Sequence, residues 1–192
     1  MSSLGSLPGF ETGEPTDRLF LAIFPDTPHA ARLTAIADRY LADRRLGAGA
    51  VKADRLHVTV FHLGDYIGLP PGLAANAAEA LSRLVAEPFA VRFDQIGSFG
   101  KRTFKSPLVL GATDGNDALH ALHKQLATHL RACGLGQHTH GSFTPHMTMA
   151  YGKATMPLEK MEPVVWPVGE VRLVHSLLGQ TRHIGLAEKR LS

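Results

Sequence analysis

Cysteine is almost absent from this chain. Cys133 is the single one in 192 residues, so no internal disulfide can form and a structural zinc site built on several thiolates is excluded. Its setting, HLRACGLG, reads as the end of a helix, where a small buried apolar side chain is expected rather than a nucleophile. Aromatic residues are sparse at 7%, with one tryptophan. No run approaches the roughly 20 apolar residues that cross a bilayer. Net charge is only +3 at pH 7, which favours an anionic partner weakly and does not demand a nucleic acid. Residues 1–17 (MSSLGSLPGFETGEPTD) lack the basic start and the apolar stretch of a secretory signal and read as a mobile tail. The expectation is a soluble, cytoplasmic protein with one domain over residues 18–192, and a monomer.

What the chain does have is histidine, eleven in all, and one tripeptide pattern that occurs twice. His57-Val58-Thr59 lies in LHVTVFHLG, and His146-Met147-Thr148 lies in PHMTMAYG. Each copy sits in a short run rich in Val, Thr, Phe, Met and Tyr, the composition of a β-strand. Residues two apart on a strand share a face. Each copy therefore presents an imidazole beside a hydroxyl, with Val58, Val60, Met147, Met149 and Tyr151 expected on the opposite, core-facing side.

The surroundings repeat as well. Residues 18–24 read as a strand, 29–46 as an amphipathic helix and 56–63 as the first His-x-Thr strand. Residues 72–86 read as a second helix and 89–99 as an alternating strand. The order then recurs, with a strand at 107–113, a helix at 116–133 and the second His-x-Thr strand at 142–151. An offset of 38 residues separates Leu19 from His57 and again Leu108 from His146. Strands at 162–166, 168–178 and 182–191 complete the chain. This pattern predicts an α+β protein of two related lobes, each a small sheet with helices on one face, whose His-x-Thr strands meet at a common cleft.

Two such pairs supply what in-line displacement at phosphorus requires. Imidazole, with an ordinary pKa of about 6.5, can take a proton on one side of the phosphorus and give one on the other. Threonine is a short, stiff donor suited to a non-bridging phosphate oxygen. No metal is needed for this set, and no cofactor is implied.

LHVTVFHLG and FTPHMTMAYG resemble the two signature strands of the two-histidine (2H) phosphoesterase superfamily, in particular its bacterial RNA 2′,3′-cyclic phosphodiesterases, historically called 2′-5′ RNA ligases. RLFLAIFPD resembles the family's opening strand and GEVRLVHS its penultimate one, so the resemblance spans nearly the whole chain. It implies a bilobal, pseudo-symmetric fold of two antiparallel sheets flanked by helices, with the active site in the cleft between lobes. It also implies metal-independent hydrolysis of RNA 2′,3′-cyclic phosphate ends to 2′-phosphomonoesters, with 2′-5′ RNA ligase activity as a further capacity. The partner implied is RNA or a nucleotide carrying a 2′,3′-cyclic phosphate. Carried over by position, His57 and His146 are the catalytic pair, and Thr59 and Thr148 bind the phosphate. His57 as acid for the leaving 3′ oxygen and His146 as base for water is preferred, the near symmetry leaving the reverse open. Other cyclic nucleotides or RNA ends, or a non-catalytic RNA-end binding module, stay open as alternatives.

Several other residues invite a role. The stretch GKRTFKSP offers Arg102 and Lys105 to a phosphate backbone and Phe104 to a base. Arg182 and His183 stand where the family usually has Arg followed by an aromatic, and Arg182 is a candidate substrate contact. His62, which interrupts the family's usual Phe-Leu-Gly, falls five residues after His57, hence on the opposite strand face with the packing residues. His120 and His123 share a helical face expected to be solvated, and His138 and His140 lie in a Gly-flanked turn. No carboxylate accompanies these four, and no metal site is expected.

Overall fold

The computed structural model describes residues 13–99 and 106–192. Within them the chain forms β1 (Asp17–Ile23), α1 (Thr27–Asp43), β2 (Val58–Tyr66), α2 (Leu73–Ser82), β3 (Phe89–Ser98) and β4 (Ser106–Gly111). It continues with α3 (Asp117–Ala132), β5 (His146–Gly152), β6 (Glu159–Val168), β7 (Glu170–Leu177) and β8 (Arg182–Arg190). Backbone bonds from Thr16 to Tyr66 and from Leu178 to Thr16 tie the chain to the sheet just ahead of β1.

All strand pairings are antiparallel, and they join the strands in the order β6-β3-β4-β5-β2-β1-β7-β8. In place of the two sheets expected there is one eight-stranded sheet, whose two four-stranded halves join in the middle where β2 meets β5. Each half runs outwards from a His-x-Thr strand to the strand that precedes it in the repeat, then to two more. The halves are not the two segments of sequence that the repeat suggested. β3 follows β2 in the chain but belongs to the half of β5, whereas β7 and β8 return to the half of β2.

Strand alternation decides which face is which. In β1, Leu19, Leu21 and Ile23 enter the main core, while Phe20 and Ala22 join Val174 and Phe24 in a small cluster on the other face. The main core also takes Leu33, Ala37 and Tyr40 from α1, Ala77 and Leu81 from α2, and Leu122, Leu126 and Leu130 from α3. All three helices therefore cover one face of the sheet, the spacing of their buried residues being that of an amphipathic helix. Trp166 and Phe93 stack at 5.1 Å within this core. Among the described residues the opposite face carries no helix and is left for chemistry.

At the centre the sheet is held narrowly. β2 and β5 share a single paired position, Val58 with Met147. Beyond it β5 turns its edge to the loop after α1, through a bridge between Ala50 and Ala150 and a bond from the Val51 N–H to the Met149 carbonyl at 2.7 Å. Both His-x-Thr strands bulge at the residue after the threonine. Leu21 and Ala22 pair with Phe61 and Thr59, passing over Val60; Leu108 and Val109 pair with Ala150 and Thr148, passing over Met149. A bulge adds one residue to one strand and reverses the facing of the residues beyond it. Val60 and Phe61 are both buried in consequence, as are Met149 and Ala150.

α1 starts where the sequence signals it. The Asp26 carboxylate accepts from the His29 N–H at 2.9 Å, and Pro28 stands in the first turn, where no N–H is needed. Replacing Asp26 by Ala should lower the unfolding free energy by about 1 kcal/mol in a urea titration, without touching the open face of the sheet.

Candidate active site

The joint at Val58 and Met147 organises the open face. Both side chains are fully buried in the helix-covered core, so their neighbours in sequence point the other way. Carrying the same register one residue to either side sets His57 opposite Thr148 and Thr59 opposite His146. Two imidazoles and two hydroxyls thus form a square on one face, related by the pseudo-two-fold axis through the joint. In an antiparallel pair such diagonal neighbours lie roughly 7–8 Å apart, a span that can bracket one phosphate.

The two histidines are held alike. His57 donates from Nδ1 to the carbonyl of Arg55 at 2.7 Å, and His146 donates from Nδ1 to the carbonyl of Thr144 at 2.8 Å. A carbonyl only accepts, so Nδ1 carries the proton in both rings and Nε2 is the nitrogen left to exchange one. Neither the Thr59 nor the Thr148 hydroxyl bonds to another side chain among the described residues, so both can donate to a ligand.

The walls differ between the halves. His57 stacks on Phe20 with ring centroids 4.8 Å apart, leans on Phe24 at 5.6 Å and meets His183 edge-on at 5.5 Å. His146 meets Phe99 edge-on at 5.3 Å. Burial pushes the His57 pKa down, only partly opposed by the Arg55 carbonyl, and the positive charges of Arg55, His146 and Arg18 push the same way as burial. His183 is held further down, to about 4, by burial first and then by His57 and Arg55. Arg18 lies on the same face of β1 as Phe20. Asp65 grips it through Nε at 2.7 Å and Nη2 at 2.6 Å, which brings the Asp65 carboxyl down to about 2.

Several placements differ from the sequence reading. His62 is not on the packing face. The bulge at Val60 returns it to the open side, where its Nε2 lies 2.9 Å from Asp65. Tyr151 is not core either: the bulge at Met149 turns it outwards, half exposed. His123 does not belong to a solvated helix face. It lies between the rings of Phe61 and Phe143, at 4.2 Å from each. Arg102, Phe104 and Lys105 lie outside the described residues. Arg182 is exposed at the start of β8, and its neighbour His183 is the one that reaches His57. Phe20, Phe24, Phe99, Arg18 and Arg55 carry no mark in the sequence pattern that led to the two tripeptides. Period-two alternation in β1 could have flagged Phe20 and Phe24 as facing away from Leu19, Leu21 and Ile23.

Among the described residues, no three His, Cys, Asp or Glu side chains are grouped to hold a metal ion, and no helix is long and apolar enough to cross a membrane. A cavity of about 490 Å³ lies beside the loop after α1, with Tyr151 among its lining residues.

The low His183 value has a consequence for stability. The unfolded chain takes up a proton near the ordinary imidazole value of 6.5, whereas the folded chain resists until about 4. Stability is therefore lost as the pH falls from about 6.5 towards 4. His57, His123 and His138 are shifted in the same direction. Urea midpoints measured between pH 7 and pH 4.5 should show this loss, and His183→Phe should lessen it without abolishing it.

Known proteins place this geometry. The solved structure of apo LigT from E. coli superimposes with a TM-score of 0.73 at 22% identity, covering 94% of this chain and 99% of that one. LigT complexed with 3′-AMP gives a TM-score of 0.68 at 22% identity over the same shares. TT0787 of Thermus thermophilus gives 0.68 at 24% identity, covering 90% of this chain and 97% of that one. No curated protein matches. At these identities the superpositions establish the fold, an antiparallel sheet with three helices. The family model of the 2′-5′ RNA ligase superfamily matches residues 25–180, which include both His-x-Thr strands. This chain belongs to the 2′-5′ RNA ligase superfamily, the two-histidine phosphoesterases.

Proposed function

We propose that the chain hydrolyses 2′,3′-cyclic phosphate ends of RNA to 2′-phosphomonoesters, with His57 and His146 as its catalytic pair and Thr59 and Thr148 as its phosphate donors. The observation that carries this reading is the matched tautomer of the two histidines. Each ring is pinned through Nδ1 to the carbonyl two residues back, and each stands across the central joint from the other copy's threonine. Binding an RNA end would call for the hydroxyls and some positive charge; it would not call for two imidazoles locked in the same proton-transfer orientation.

The reaction balances on these groups. Water attacks phosphorus and gives a proton to Nε2 of His146. The bond from phosphorus to the 3′ oxygen breaks, and that oxygen takes the proton of Nε2 of His57. Thr59 and Thr148 donate to the non-bridging oxygens, whose charge grows in the transition state. The cycle leaves His57 neutral and His146 protonated, and exchange with solvent restores both. A 5′-hydroxyl in place of water would make a 2′-5′ linkage by the same displacement, the reaction recorded in the superfamily's name. The complexes of LigT with 3′-AMP and with phosphate support a site for a nucleotide phosphate on this fold.

The acid role suits His57. Burial makes its imidazolium a stronger acid, and an arriving phosphate anion favours the protonated form in place of lost water. A nitrophenyl phosphodiester, whose leaving group needs no proton, separates the roles. His57→Ala should keep most of its activity on that ester, whereas His146→Ala should not; the opposite pattern would exchange acid and base.

On a cyclic-phosphate oligonucleotide, either histidine variant should lower turnover by roughly 10²–10⁴. Thr59→Ala or Thr148→Ala should cost about 1.5–3 kcal/mol, or about tenfold to 150-fold. Phosphorus NMR of the product should show a 2′-monoester, formed equally well in excess chelator. Full activity in both histidine variants, or tight binding without any product, would overturn the reading.

A further inference from the structure

His183 has no part in the displacement just described, yet it sits against one of its reacting groups. The rings of His57, Phe20 and His183 form a closed triangle, with His183 at 5.5 Å from His57 and 5.4 Å from Phe20, edge-on to both. Arg55 touches two corners of it. Its carbonyl accepts from His57 Nδ1, and its guanidinium Nη2 lies 3.5 Å from His183 Nε2. A guanidinium only donates, so Nε2 of His183 is the acceptor and Nδ1 bears the proton. That Nδ1, and Nε of Arg55, are buried without a hydrogen-bond partner. Buried polar atoms are ordinarily paired, and two orphans side by side against a reacting ring mark a place built for something other than stability. Among the described residues nothing equivalent surrounds His146, which has a backbone carbonyl and the edge of Phe99.

We propose that His183 and Arg55 are a positioning pair for His57, fixing its ring and keeping water from its inner side. The pair touches no reacting atom and acts through His57 alone, so the proposal rests on the reading of His57 as a proton-transfer group. Phe20 and His183 leave the His57 ring little freedom to turn away from the carbonyl of Arg55. A neutral His183 can do this without contending for the proton that His57 must carry. The charged and titratable groups facing His57 are Arg55, Arg18, His146 and His183; those facing His183 are Arg55, Arg18, Asp54 and His57. Exposing the His57 ring removes its largest shift, the one due to burial.

The test follows the His57 ring resonances by NMR across pH in the full chain, beside the pH dependence of kcat/KM on a cyclic-phosphate oligonucleotide. In His183→Ala the His57 titration should move up towards the ordinary 6.5, the pH dependence of kcat/KM should move with it, and kcat should fall roughly tenfold. His183→Phe keeps an aromatic edge in place and should keep both the low titration and kcat within about threefold. Should His183→Ala fail to fold, His183→Gln against His183→Phe makes the same comparison. An unchanged His57 titration in the Ala or Gln variant overturns the proposal. So does a Phe variant as impaired as the Ala variant, which would make the imidazole itself a substrate contact. The resonance titration needs no turnover, so loss of the catalytic reading, seen as full activity in His57→Ala, is distinguishable from loss of this one.

Discussion

One backbone pairing, Val58 with Met147, carries the geometry of the open face. Among the described residues it is the only place where the two halves of the sheet are bonded strand to strand. Both side chains at that point are spent on the core, which obliges the residues on either side to face away from it. The two imidazoles and two hydroxyls take their places from that one constraint. Had one strand met the other a residue out of register, its imidazole and hydroxyl would be turned into the helices. The apolar packing beneath the joint therefore does for this site what a metal does in many others, fixing donors from distant parts of the chain in one arrangement.

The two halves share a design and diverge in its setting. Both pin an imidazole by Nδ1 and both bulge directly after the threonine. The bulges interrupt the pleat just past each tripeptide, so that the residues beyond obey a new phase. His57, however, is enclosed by Phe20, Phe24 and His183, while His146 has only the edge of Phe99 described beside it. Two imidazolium charges at the 5.5 Å between His57 and His183 would repel by roughly 3 kcal/mol at an effective dielectric of about 20. Charge on one ring of that pair therefore disfavours charge on the other. Symmetry of the fold thus coexists with unlike environments for the two imidazoles, which is what the proposed division into acid and base requires.

Much of this is legible in the sequence because strand alternation is a local rule. It singles out His57, Thr59, His146 and Thr148, and it places every strand and helix within a few residues. It fails just past each tripeptide. Counting in twos assigns Tyr151 and His62 to the packing face, and a bulge resets that count without any glycine or proline to announce it. His123 escapes for a different reason: on a helix, the partner rings of Phe61 and Phe143 come from elsewhere in the chain. The same limit hides Arg55 and the contacts of Phe20 and His183 with His57. Each residue is ordinary in its own segment, and only the meeting of the loop before β2 with β1 and β8 makes them neighbours.

The order of strands in the sheet also governs the order in which the molecule can be made. The half containing His146 is one unbroken stretch, β3 to β6, and all its strand pairings close within that stretch. The half containing His57 is split, with β1 and β2 made early and β7 and β8 last. During synthesis the first half must wait for β7, with one edge of β1 unpaired, while the second half completes itself in between. Long-range closure of this kind is slow compared with local closure. His183, on β8, can reach His57 only after β8 has been made, so the ring enclosing the first histidine comes later than every other described strand. A molecule released short of β8 would keep both His-x-Thr tripeptides and lack the wall that distinguishes one from the other.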